Sequence, residues 1–229
     1  IKNVYIMRYT NFFLTLSICL SAVLGDYLVF RSKYSNSQIF RALCDTSVHG
    51  LIGLLSATLF FNQNINISIQ ACIYNIIFCT VISSFIDVDH FIVARSIYLK
   101  DLTNLKQRGI FHCTTFWLII TLLLIIYSHV YKKINVYTLT YMLIIAFTSH
   151  HIRDGNRRGI WLYPYGHTDA INKWLYVFLI FLSHVLCVLN FIKIGSVVEL
   201  ESGTDRSNQF IIMYSVEVTF QACISVRIL

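Results

Sequence analysis

Apolar residues in this chain come in long runs, and the polar ones collect between them. A helix that crosses a bilayer needs about twenty mainly apolar residues. Six stretches follow that pattern: 12–30, 45–61, 67–86, 110–131, 135–151 and 171–194, of which 45–61 is the shortest. In hydrocarbon every backbone N–H and C=O must be satisfied within the segment, which selects helices over open strands. The pattern therefore predicts an all-α fold, a polytopic transmembrane helix bundle of about six spans over residues 1–195. Its loops are short, with no internal repeat or low-complexity linker.

Past residue 195 the pattern breaks. ELESGTDRSNQ is polar and turn-like, VEVTF alternates as a strand does, and residues 196–229 read as a tail without an assigned role. The first run also fits a signal peptide, since Lys2 and Arg8 precede an apolar core and small residues follow at SAVLG. Against that, the run continues past Gly25 to Phe30, long enough to span.

Composition points the same way. Of 229 residues, 56% are hydrophobic and 13% charged, with one proline and a mean hydropathy of +0.65. Such values exclude an ordinary soluble domain and indicate an integral multi-pass membrane protein, with the lipid bilayer as its first partner. The net charge is +7, but the basic residues lie between apolar runs and form no block interleaved with aromatics. Nucleic acid is therefore not an expected partner. Lys and Arg concentrate in 31–44, 87–109 and 152–170, which assigns those loops to the cytoplasm and both termini to the other side. The sequon Asn66-Ile67-Ser68 then falls on the non-cytoplasmic side, where glycosylation could occur. Seven cysteines show no CxxC pair and sit mostly within apolar runs, so they read as small buried hydrophobes.

The chemistry-bearing residues gather at the ends of the runs. Asp45 and His49 open the second, while Asp87, Asp89 and His90 close the third. Arg108 and His112 lead into the fourth, and His150, His151, Arg153 and Asp154 close the fifth. Entry to an even-numbered span and exit from an odd one share a side of the bilayer, so all four clusters meet at the predicted cytoplasmic face. Asp45/His49, Arg108/His112 and His150/Asp154 are spaced i,i+4 and each pair shares a helix face. An ionisable group at the centre of a span costs about 2.5–3.5 kcal/mol on insertion scales, less near its ends, and carboxylates crowded without a cation repel. A divalent metal resolves that repulsion. Mixed imidazole and carboxylate ligation suits zinc, manganese or iron and could hold two ions, and such a metal lowers the pKa of a bound water to about 7 for hydrolysis. Arg108 or Arg153 would then hold an anionic oxygen.

Each cluster alone has a plainer reading. DVDH fits a solvated span end, and HHIRDG fits a helix exit closed by Gly155, with His and Arg complementing the dipole. Asp45 and His49 could be an internal pair and Arg108 a topology signal, while His129, His167 and His184 pair with no acid at helical spacing. The gathering on one face is what favours a shared site.

The segments RALCDTSVHGLIG (41–53), SFIDVDHF (84–91), RGIFHCTT (108–115) and TSHHIRDGNRRGIWLYPYG (148–166) resemble the transmembrane protein 267 family of multi-pass membrane proteins. The likeness runs from about residue 39 to 190. The same residues are more distantly similar to a bacterial inner-membrane family described as metal-dependent hydrolases. That pattern is a His near a span start, then Asp-x-Asp-His, Arg-x3-His and Ser-His-x3-Asp. The matching positions are His49, then Asp87, Asp89 and His90, then Arg108 and His112, then Ser149, His150 and Asp154. His151 has no counterpart, and Gln107 and Cys113 stand where the bacterial motif usually carries His and Ser.

The resemblance implies a membrane-embedded metal-dependent hydrolase, and the depth and charge of the site point to a membrane-associated anionic ester such as a lipid phosphoester as its substrate. His49, Asp87, Asp89, His90, His112, His150 and Asp154 would ligate zinc or manganese, with Asp89, His150 and Asp154 also catalytic, and Arg108 and Arg153 would bind substrate. Two other classes fit the same residues: a non-catalytic membrane scaffold whose polar clusters hold helices together, and a proton or metal transporter. Transporters usually place polar groups near the midplane, on broken helices.

Overall fold

The computed structural model describes residues 2–62, 67–102, 108–131, 134–183 and 185–186. Helix α1 is Lys2–Arg31 and α2 is Gln38–Phe61. Helix α3, Ile69–Phe85, passes through a 3-10 turn at Ile86–Val88 into α4, Asp89–Ala94. After α5, Leu99–Leu102, a second 3-10 turn at Ile110–His112 leads into α6, Thr114–Tyr131, and α7 spans Ile134–Arg158. A small antiparallel hairpin, β1 (Trp161–Leu162) with β2 (Gly166–His167), precedes α8, Lys173–Ser183.

The all-α expectation holds, and the protein is a helical bundle with one short hairpin among the described residues. Among the described residues, four helical segments are long and apolar enough to cross a bilayer: Tyr9–Arg31, Gln38–Phe61, Ile69–Ala94 and Thr114–Tyr131. The fifth expected run, 135–151, is helical, but α7 continues through the charged residues to Arg158. Gly155 does not close it. A Cβ there would stand 2.8 Å from Ile171 Cδ1, so this glycine serves a close approach. The stop comes at Gly159, whose φ of +72° is open to glycine, and a Cβ there would collide with the Thr168 carbonyl. The sixth run is helical over α8, and its end lies outside the described residues, as do Asn66 of the sequon, His184 and the tail 196–229.

Capping explains a second difference. Helix α2 starts at Gln38, ahead of the expected residue 45, because Ser37 is extended and its Oγ accepts from Phe40 N at 3.3 Å. Asp45 and His49 consequently sit inside the helix rather than at its mouth. Ser68 caps α3 in the same way, accepting from Ala71 N.

Two apolar clusters hold the bundle. Ala57, Phe60, Cys79, Tyr141, Met142 and Ala146 join α2, α3 and α7. Ile18, Ala22, Val48, Ile52, Ile152 and Tyr176 join α1, α2, α7 and α8. Helices α2 and α3 come close because Gly50 and Gly53 face Ser84 and Ser83, and a Cβ at Gly50 would lie 2.6 Å from Ser84 Oγ. Such small-residue seams let helix backbones approach within a bilayer. Outward, Ile73, Tyr74, Ile77 and Val81 on α3 and Ile119, Leu122, Leu123 and Ile126 on α6 are exposed. That apolar belt suits lipid, so the polar groups are the buried ones.

Candidate metal centre

Four elements deliver the site. Helix α2 supplies Asp45 and His49, the α3 exit supplies Ser83 and Asp87, and the 3-10 turn before α6 supplies His112. Helix α7 supplies His150 and Asp154 one turn apart. The turn carrying His112 is pinned from α6, where Trp117 stacks on Phe147 of α7 and donates its Nε1–H to Phe111 O at 2.7 Å.

Asp87, His112, His150 and Asp154 each present one ligand atom, and these atoms lie within 4.8 Å of one another. His112 Nε2 is 3.8 Å from Asp87 Oδ1 and 3.6 Å from Asp154 Oδ2. His150 Nε2 is 3.6 Å from Asp87 Oδ1 and 3.9 Å from Asp154 Oδ2. Tetrahedral donors held about 2.1 Å from zinc stand about 3.4 Å apart, a few tenths of an ångström closer than these four pairs. The pairs are too far apart for good hydrogen bonds, and the Nε2 atoms of His49, His112 and His150 and Asp154 Oδ1 are buried without a hydrogen-bond partner. Buried polar atoms left unanswered in this way are rare, and an ordered water or an ion is what meets them.

The opposite edges of these groups are held. His150 Nδ1 lies 2.9 Å from Ser83 O, a carbonyl that can only accept, so Nδ1 carries the proton and Nε2 keeps its lone pair. His112 Nδ1 likewise faces Asp89 Oδ2 at 3.2 Å, and the same oxygen accepts from the His112 backbone N–H. Asp87 Oδ2 accepts from Thr46 Oγ1 at 3.1 Å, leaving Oδ1 turned to the imidazoles. Metal-bound histidines characteristically have their second nitrogen fixed by a carboxylate or carbonyl. Asp89 itself packs on Gly109, where any Cβ would strike its carboxylate.

The other expected residues divide around this cluster. His49 stacks on His150, ring centroids 3.8 Å apart, with its Nε2 3.4 Å from Asp154 Oδ1. Asp89 lies behind His112 rather than among the four. His90 meets the His112 ring edge-on at 4.7 Å while its Nδ1 bonds Asp87 O, so it borders the cluster. His151 is turned away, its Nε2 on Phe111 O and its Nδ1 beside Thr114 Oγ1. Arg108 is half-buried, with Nη1 reaching Gly159 O at 3.4 Å. Burial pushes its guanidinium below the usual arginine value; Asp154 opposes that, and Arg158 and Arg157 add to it.

Arg153, expected as an anion clamp, is wholly buried and belongs to a separate network. It donates to Asp45 Oδ1 at 2.7 Å and to Asp26 Oδ1 at 3.0 Å. Arg157 grips both oxygens of Asp45, at 2.7 and 2.6 Å, and Tyr176 donates to Asp26 Oδ2 at 2.6 Å. Asp26, Arg157 and Tyr176 were absent from the sequence-based site. Asp26 did carry a signal, a lone carboxylate within an apolar run.

The sequence is similar to those of known membrane proteins. The chain is 36% identical to transmembrane protein 267 of Bos taurus over 164 residues, covering 71% of this chain and 74% of the relative. It is 36% identical to the Danio rerio protein of that name over 173 residues, covering 72% and 76%. It is 32% identical to the Xenopus laevis one over 166 residues, covering 72% and 75%. No family-wide sequence profile and no solved structure matches the chain.

Proposed function

The chain belongs to the transmembrane protein 267 family, and from that premise we propose that it is a metal-dependent hydrolase of membrane-associated anionic esters. It is an integral multi-pass membrane protein whose buried Asp/His cluster could hold a metal ion. One observation carries the reading. The Nε2 atoms of His112 and His150 are buried without hydrogen-bond partners in a cluster that Asp87 and Asp154 complete. Asp87, His112, His150 and Asp154 would hold zinc or manganese, the donor set that mixed nitrogen and oxygen ligation favours. When bound, such an ion supplies Lewis acidity and lowers the pKa of a water to about 7.

The chain's own residues do the rest. Ser83 O and Asp89 fix the imidazoles of His150 and His112, so Asp89 is a positioning residue. Asp154 Oδ1, free of hydrogen bonds, is the atom able to take a proton from an attacking water. Arg108, half-buried and flanked by Arg157 and Arg158, would hold the anionic oxygen of the ester. The depth of the cluster, at the α3 exit and two turns or more inside α2, suits a headgroup lying at the bilayer boundary.

A test pairs composition with turnover. Protein purified in detergent should retain zinc or manganese, lose it in Asp87→Ala and His150→Ala, and release inorganic phosphate from micelles containing a phosphomonoester lipid such as phosphatidic acid only when loaded. Metal that is absent, or unchanged in both variants, ends the reading. Metal without turnover leaves the second one, a membrane scaffold. That alternative has its own support, because the Asp26/Asp45/Arg153/Arg157/Tyr176 network ties α1, α2, α7 and α8 together without any ligand.

A further inference from the structure

We infer that the centre takes a single ion because Arg157 stands where a second would bind, an inference that rests on the metal reading above. Asp154 has two faces. Its Oδ2 turns to His112 and His150, whereas Oδ1, buried and unpartnered, turns to His49 Nε2 at 3.4 Å. His49 Nε2 is itself unpartnered, on a residue only 2% exposed, and Asp45 Oδ1 lies 4.0 Å from it. His49, Asp45 and Asp154 Oδ1 therefore form a second set of donors, joined to the first by a shared carboxylate. Paired metal sites, with ions about 3.5–4 Å apart, suit such an arrangement.

A guanidinium already claims that side. Arg157 Nη1 is 3.8 Å from Asp154 Oδ1 and 2.7 Å from Asp45 Oδ2, while its Nη2 is 2.6 Å from Asp45 Oδ1. Arg153 adds a third charged contact to Asp45 at 2.7 Å. A carboxylate gripped by two guanidiniums cannot turn to an ion unless one of them leaves, and an arginine keeps its charge at any working pH. Arg157 is held in place by the Phe30 ring, 4.5 Å beneath its guanidinium carbon. Its fixed charge supplies on the His49 side what a metal supplies on the His112 side.

The test is stoichiometry. Chelator-stripped wild type and Arg157→Gln are loaded with zinc or manganese, freed of excess, and read by elemental analysis. The wild type is expected to hold one equivalent and Arg157→Gln two, the second lost again in Arg157→Gln/His49→Ala. Arg157→Lys, which keeps the charge, should stay at one. A wild type with two equivalents overturns the inference while leaving the metal reading intact, and needs no variant to fold. An Arg157→Gln protein that elutes as the wild type does and still holds one also overturns it. A wild type with none removes both.

Discussion

Two buried charge clusters lie side by side on the same helices, one turn apart, and they are answered differently. On α2 and α7, Asp45, Arg153 and Arg157 join Asp26 and Tyr176 in a network in which every carboxylate oxygen meets a donor. Only the two arginine Nε atoms go without. Its neighbour, built from His49, His150 and Asp154 with Asp87 and His112, brings lone pairs face to face. The first has the composition of a lock and the second of a socket. Burial alone does not separate them; the sign of what each oxygen faces does.

The contrast breaks most visibly at Arg153. Arg153→Ala leaves Asp45 and Asp26 buried with less positive charge, and loss of about 3–5 kcal/mol of stability is expected, read by denaturation in detergent with or without metal. The socket should respond the other way. Zinc at a hundredfold excess over its dissociation constant should stabilise the wild type by about 2.7 kcal/mol and should leave His150→Ala unmoved. Acidification should abolish that gain, because imidazole and carboxylate ligands must shed their protons to bind. Equal zinc responses from both proteins would erase the distinction between the clusters.

Subtler changes sharpen it. Gly109→Ala places a methyl where the Asp89 carboxylate packs, so Asp89 must release His112. A fall in metal affinity of about 10–100-fold is expected, measured by competition with a chelating dye, with metal-free stability changed far less than by Arg153→Ala. Smallest is Tyr176→Phe, which removes one hydrogen bond from Asp26. Destabilisation by about 1 kcal/mol and unaltered metal affinity are expected. A drop in affinity there would mean that lock and socket act as one unit.

Much of the socket was readable in the sequence. Acids and imidazoles one turn apart at span ends have few other uses in an apolar chain, and Asp87, His150 and Asp154 came from that pattern, while His112 came from its spacing to Arg108. The lock was not readable, for three physical reasons. Asp26 is one polar residue in an apolar run, and its partners lie 127 and 150 residues away. Arg157 passed for a loop charge because Gly155 looked like a helix stop, whereas α7 runs on to Arg158 and sets Arg153 and Arg157 on one face. Asp45 looked like His49's partner until the charge-assisted bonds from two arginines claimed it. Hydrophobic period announces helices well, but which acid meets which base depends on long-range packing.

Those long separations bear on how the chain is made. Asp26 leaves the ribosome early, whereas Arg153 and Tyr176 follow only after 127 and 150 further residues. Until α7 and α8 emerge, the first helix carries a carboxylate whose final partners have not yet been synthesised. The pairing of Asp26 therefore cannot be completed until α7 and α8 have been made.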